Sequence, residues 1–156
     1  MIVSDLQAGA SAWIYGNMVL DQGGGPSLPS PIYRDPDPSP QQPVVIVDRK
    51  TGKVTYTGIY YYLEHFSKFV RPGAIRVLLD GKYSGLRGVA FLSPEPAGGW
   101  HWVVELLNNR QAGAQIQVDF EVDWIRKSFR LTLPGASITT CVWKPLQNTV
   151  GTMSIN

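Results

Sequence analysis

Apolar and polar residues alternate most regularly in the second half of the chain. Ile116, Val118, Phe120 and Val122 interleave with Gln115, Gln117, Asp119 and Glu121, and Phe129, Leu131 and Leu133 interleave with Arg130 and Thr132. A period of two puts each set on one face of a strand, so both segments predict strands with a single face against a core. Short runs of similar character occupy Ala74 to Leu79, Gly88 to Leu92, Trp100 to Leu107 and Ser137 to Trp143, separated by Gly- and Pro-containing turns. Evenly spaced short strands of this kind predict a β-sandwich over residues 71–144. The polar residues that follow, 145–156, read as a loose tail.

The first half has another rhythm. From Gly58 to Val70 the apolar positions Ile59, Leu63, Phe66 and Val70 recur at helical spacing, with Thr57 as a candidate N-cap and Arg71-Pro72-Gly73 as the stop. Before it, Val44 to Val47 and Val54 to Tyr56 flank the turn-forming Asp48-Arg49-Lys50-Thr51-Gly52-Lys53 and predict a small hairpin. Met1 to Ala12 reads as the end of a helix, and Ala12 to Tyr15 as one buried strand. Between Gln22 and Pro43 lie Gly23, Gly24, Gly25 and prolines at 26, 29, 31, 36, 38, 40 and 43, which rule out a central strand or a helix there. A loop of that length is a lid, a binding loop or a linker, and too little chain precedes it to make a linked domain. Residues 1–70 therefore read as part of something larger, and the fold class as mainly β with an incomplete α/β opening.

Composition narrows the function classes. Hydrophobic residues are 44% and charged residues 17% of the 156, as in a folded globular chain. The net charge of +2 is spread without a basic stripe, which argues against a nucleic-acid partner. Cys141 is the single cysteine, so neither an internal disulfide nor a thiolate metal cluster is available, and His65 and His101 are too far apart in sequence for a metal motif. No apolar run approaches the ~20 residues of a transmembrane helix, and Met1-Ile2-Val3-Ser4-Asp5 lacks the features of a signal peptide. Gly23-Gly24-Gly25 is not followed by Lys-Ser/Thr or a helix, so it does not read as a phosphate cradle. No cofactor is expected.

Three stretches carry a resemblance. Asn17-Met18-Val19-Leu20-Asp21 is followed by Gly24-Gly25-Pro26. Tyr61-Tyr62-Leu63-Glu64-His65-Phe66-Ser67-Lys68-Phe69 is followed by Pro72-Gly73 and Arg76-Val77. Leu107-Asn108-Asn109 precedes Leu133-Pro134-Gly135-Ala136-Ser137-Ile138-Thr139-Thr140 and Trp143. In this order and spacing they resemble glycoside hydrolase family 30, which includes glucosylceramidases and other β-glycosidases. The resemblance implies a C-terminal piece of such an enzyme. Met1 to about Ser11 would be the seventh helix of a (β/α)8 barrel, Ala12 to about Gly16 its eighth strand, and Gly58 to Val70 its eighth helix, followed by most of a β-sandwich. It also implies a β-glycoside or glycolipid substrate for the parent enzyme and a location that is often secreted or lysosomal. Another reading is complementation, in which this piece docks onto a separately made barrel fragment and restores the site.

Retaining glycosidases need two carboxyl groups ~5 Å apart. The resemblance places both catalytic glutamates after the fourth and seventh barrel strands, outside this chain. The four glutamates here are Glu64 in the predicted helix, Glu95 in a Pro-Glu-Pro turn, and Glu105 and Glu121 in separate predicted strands, and nothing in the pattern pairs them. No catalytic residue is therefore expected in this chain. Trp13 and Asn17, bracketing the predicted eighth strand, are the candidate substrate-binding residues: an indole face suits a sugar's C–H surface and an amide its hydroxyls. Where family members often carry a further tryptophan, this chain has Gly16. The competing readings are a core role for Trp13 and a loop-capping role for Asn17. His65 is expected to be a hydrogen-bonded spacer between barrel and sandwich. The alternative function is a stand-alone carbohydrate-binding or structural module, with Trp100, Trp102, Trp124 and Trp143 as sugar platforms if they are exposed.

Overall fold

The computed structural model describes residues 2–25, 42–81, 84–122, 125–144 and 152–155. The chain divides into two compact units, one built from residues 1–12 and 64–156 and the other from 13–63.

The first unit is a β-sandwich. Ten-residue-scale alternation becomes β6 (Leu86–Pro94), β7 (Trp100–Asn108), β8 (Ala114–Val122), β9 (Ile125–Leu133) and β10 (Ser137–Trp143), preceded by short β4 (Ile75–Val77) and β5 (Leu79–Asp80). One sheet has the order β10-β7-β6-β4, all antiparallel, with Glu105 opposite both Thr140 and Val89. The other has the order β5-β11-β8-β9, in which β11 is Thr152–Ile155. The inner faces meet through Val77, Ala90, Leu92, Trp102, Val104 and Leu106 from one sheet and Ala114, Ile116, Val118, Leu133, Met153 and Ile155 from the other. Burying a dozen such side chains between two sheets is the main stabilisation of the unit, at roughly 1.5–3 kcal/mol for each large one.

Residues 152–155, placed in a tail by their polar neighbours, thus belong to a sheet. Met153 and Ile155 point into the core while Ser154 lies between them, an alternation too short to stand out in sequence. Of the rest of that segment, 145–151 and 156 lie outside the described residues.

The outer face of the first sheet is covered by helices. Val89, Phe91 and Val103 pack with Val3 and Leu6 of α1 (Ile2–Gln7) and with Phe66, Phe69 and Val70 in and just after the last turns of α2 (Gly58–Phe69). α1 is further tied down by Gln7, whose Nε2 donates to the Gly88 carbonyl (2.7 Å), and by Ser4, which bonds Arg87. The end of α2 is held by β6 and β7. Ser93 Oγ donates to the Phe69 carbonyl (2.9 Å) and accepts the Arg71 amide (3.0 Å), and His101 Nε2 reaches the same carbonyl (3.2 Å). These bonds satisfy backbone groups that a helix terminus leaves open.

The second unit is small. β1 (Val19–Asp21) pairs in parallel with β2 (Val45–Val47), which forms the expected hairpin with β3 (Val54–Tyr56). Asp48 organises its turn, accepting the Lys50 and Thr51 amides at Oδ1 (both 2.8 Å). Thr57 stands at the start of α2 and its carbonyl accepts the Tyr60 amide. Its hydroxyl bonds backwards to the carbonyls of Pro43 and Val44 (both 2.9 Å), so it ties the helix start to the preceding strand.

The strand expected at Ala12 to Gly16 is not formed. The extended pairing lies several residues later, at Val19–Asp21, and Ile14 is 90% exposed. Apolar and aromatic character suits residues 12–15 to a strand, but a strand also needs a ladder partner for its backbone groups. β2 offers that ladder to Val19, Leu20 and Asp21 instead. The proline-rich stretch 26–41 lies outside the described residues.

Candidate functional site

Trp13 and Asn17 lie on the connection leading to β1. Trp13 is half-buried and stacks on Tyr15, with ring centroids 5.9 Å apart and planes 24° from parallel. The Tyr15 hydroxyl donates to the Gln42 carbonyl (2.8 Å), which fixes the pair at the foot of β2. Asn17 has φ of 62°, a left-handed conformation that asparagine tolerates better than most residues, and its carbonyl accepts the Val44 amide (3.2 Å). The turn after β1 is knotted by Asp21. Its Oδ1 accepts the Gly23 (2.8 Å) and Gly25 (2.9 Å) amides, and Oδ2 meets Arg49 at 3.4 Å. Those bonds, the Gly25 amide first, hold the Asp21 carboxyl below the ordinary aspartate range. The arrangement presents a stacked indole and phenol beside a kinked asparagine at the end where β1 begins.

The four glutamates have separate partners. Glu64 meets Lys68 one helical turn on (3.4 Å), and Glu121 meets Arg126 (3.2 Å). Glu95 faces His101 (3.7 Å) and Lys144 (3.6 Å). Glu105 differs from the others. It is 0% exposed, on the outer face of β7 beneath α2, and its Oε2 lies 2.7 Å from the Thr140 hydroxyl of β10. Thr140 Oγ1 is in turn 2.6 Å from His65 Nδ1 on α2, and His65 Nδ1 is 3.8 Å from Glu105 Oε2. Glu105 Oε1 is buried with no hydrogen-bond partner among the described residues. Burial pushes the Glu105 carboxyl up to about 8, against the smaller opposing effect of Thr140, and burial also lowers His65. Sequence reading placed Glu105 in a strand without recognising this cluster. The signal was there: a single carboxylate inside Val103-Val104-Glu105-Leu106-Leu107 has apolar neighbours on both faces.

His65 is hydrogen-bonded as expected, and its partner is the sandwich strand β10. The tryptophans considered as sugar platforms are built into the core. Trp102 is 1% exposed, Trp143 packs against Trp102, Phe120 and Phe129, and Trp100 is half-buried against the same cluster. Trp124 lies outside the described residues. Among the described residues no group of three or more His, Cys, Asp or Glu is placed to hold a metal ion, and no helix is long and apolar enough to cross a membrane.

No family model matches the chain. Individual proteins do. "Putative glucosylceramidase 3" of Caenorhabditis elegans is 30% identical over 143 residues, 92% of this chain and 25% of the relative. "Putative glucosylceramidase 4" of the same organism is 27% identical over 145 residues, 92% of this chain and 26% of the relative. "Lysosomal acid glucosylceramidase" of Mus musculus is 27% identical over 145 residues, 92% of this chain and 25% of the relative. Its relatives are glucosylceramidases. The chain spans about a quarter of the length of the curated relatives it matches.

The two parts of the third stretch that carried the glucosylceramidase resemblance meet in space. Asn108, from Leu107-Asn108-Asn109, is buried and its Nδ2 donates to the carbonyls of Ala112 (3.0 Å) and of Pro134 (2.8 Å), the latter in the Leu133-Pro134-Gly135 stretch. Its Oδ1 accepts the Arg110 amide (3.0 Å). A Cβ on Gly135 would sit 1.8 Å from the Gln111 carbonyl oxygen, so only glycine lets the two turns approach this closely. The helix stretch of the resemblance likewise meets the terminal-strand stretch, through His65 and Thr140.

Proposed function

We propose that this chain is the C-terminal quarter of a retaining β-glycosidase of the glucosylceramidase type, acting in the parent enzyme on a β-glucoside or glycolipid. In this reading both catalytic glutamates belong to the part of the enzyme that precedes these residues. This chain supplies the accessory sandwich together with one edge of the sugar site. The observation that carries the reading is the match to glucosylceramidases along 92% of the chain. It is supported by the placement of the four glutamates, each engaged at a different point of the fold, one of them sealed under a helix where no substrate reaches. A retaining mechanism needs a nucleophile and an acid/base converging on one glycosidic bond.

Within that site, the half-buried Trp13 offers an apolar wall and Asn17 an amide for a sugar hydroxyl. The rest of the barrel, made in the same chain or as a separate piece, would cover the apolar surface around them.

The test is direct. The 156-residue chain alone should not release fluorophore from a β-glucoside. In an enzyme joining it to the remainder of a family barrel, Trp13→Ala or Asn17→Ala should raise KM several-fold with a smaller change in kcat. Cleavage by the isolated chain, lost on replacing one of its own four glutamates by glutamine, would refute the reading.

A further inference from the structure

We propose that Glu105, Thr140 and His65 form a proton-operated clasp that fastens the last turns of α2 to the sandwich, closed when the carboxyl is neutral and loosened when it ionises.

The geometry supports this in three steps. First, Glu105 sits on the outer face of β7 among Val89, Val103 and Leu107, covered by α2, with one oxygen lacking a hydrogen-bond partner among the described residues. A charge on such an oxygen has neither water nor a donor to stabilise it, whereas an unpartnered carbonyl oxygen costs far less. Second, the hydrogen-bond partner of the carboxyl among the described residues is a hydroxyl, and a hydroxyl both donates and accepts. With the carboxyl neutral, Oε2–H donates to Thr140 Oγ1 and the Thr140 hydroxyl donates to His65 Nδ1. With the carboxyl ionised, the same three atoms remain in line but every bond reverses: His65 Nδ1–H donates to Thr140, and Thr140 donates to Oε2. The heavy-atom distances of 2.7 and 2.6 Å suit either direction. Third, only the reversed form leaves a bare anionic oxygen, Oε1, buried against apolar side chains. The neutral form is therefore the closed one. An ion pair between His65 and Glu105 does not rescue it, because at 3.8 Å two charges taken from water recover little of their desolvation.

The other ionisable groups around the clasp are few. α2 brings Glu64 beside His65, and its charge acts on that ring. On the same face of the sheet β7 carries His101 and β6 carries Arg87, engaged by Phe69 and Ser4 respectively. β10 carries Cys141 on the opposite face, whose thiol is pushed up by burial and by Glu105. α1 contributes Asp5.

The sign of the pH effect follows from proton counting. The unfolded glutamate ionises near 4.5 and the folded one at about 8. Between those values the folded chain holds the extra proton, so raising the pH weakens the fold through that interval and acid restores it. His65, lowered by burial, acts in the opposite sense below its ordinary value, so the interval above pH 6.5 isolates Glu105.

Urea midpoints of the 156-residue chain, followed by tryptophan fluorescence, should fall from pH 6.5 to 8 in the wild type and level off above. The folding equilibrium constant should drop by about tenfold per pH unit relative to Glu105→Gln, whose amide keeps the shape but cannot ionise. The chain has only two histidines, so the His65 ring is assignable by ¹⁵N NMR using His65→Asn. Its Nδ1 should change from acceptor to donor across the same pH interval in the wild type. Parallel midpoint curves for wild type and Glu105→Gln overturn the proposal. So does a His65 ring that keeps one tautomer from pH 6.5 to 9, a result that stands even if the glutamine variant fails to fold.

Discussion

The two units of this chain solve the problem of burying apolar surface to different degrees. In the sandwich, Trp102, Val103, Val104, Leu106, Val118 and Leu133 are all within 1% of complete burial, and the outer face of one sheet is roofed by α1 and α2. Among the described residues of 13–63, Leu20 and Val44 are the buried large apolar side chains, while Ile14, Met18, Val19, Val54, Tyr56 and Tyr61 are exposed. A sheet of three three-residue strands offers little surface on which to bury apolar side chains. One unit carries its stability within itself. The other leaves much of its described apolar surface exposed.

That contrast can be broken at its strong end first. Trp102→Ala removes the largest fully buried side chain and should cost about 3–5 kcal/mol, enough to abolish the cooperative urea transition. A well-folded Trp102→Ala would show that the sandwich does not depend on its core as described. Asn108→Ala should come next, at about 2–3 kcal/mol, because it strands the carbonyls of Ala112 and Pro134 and the amide of Arg110 together. Thermal unfolding checks it, and a loss well under 1 kcal/mol would mean the two turns hold each other by other means.

The weak end sharpens the same comparison. Ile14→Ser should change stability by no more than ~0.5 kcal/mol, yet reduce concentration-dependent self-association of the isolated chain, measured by sedimentation. Equal association of both forms would show that the exposed patch is not what makes the chain adhere to itself. Lys68→Ala, breaking only the exposed pair with Glu64, should cost ~0.3–0.5 kcal/mol and be barely resolved in the urea midpoint.

Much of this architecture was legible beforehand. The alternations at 115–122 and 128–133 are strands, the helix expected at Gly58 to Val70 runs Gly58–Phe69, and the hairpin at 44–56 forms. The family resemblance agrees with the relatives found. Other features escaped for identifiable reasons. Ala12 to Tyr15 has strand-like composition, but ladder pairing decides where a strand forms, and the pairing goes to Val19–Asp21. β11 has four residues, too few to display a period, and is recognised only because β8 and β5 flank it. Glu105 looked like one of four equivalent glutamates until the fold placed Thr140 opposite and His65 above it.

Local patterning by itself determined the long sandwich strands, the 44–56 hairpin and the helix at Gly58–Phe69, because side-chain period and turn chemistry act over a few residues. Tertiary structure decided which strands find partners, which polar group is sealed from water, and that Asn108 bonds Pro134 while Gly135 lies against Gln111. Those outcomes depend on residues dozens of positions apart, and the free energy of a buried carboxyl or a ladder bond is set by its neighbours in space.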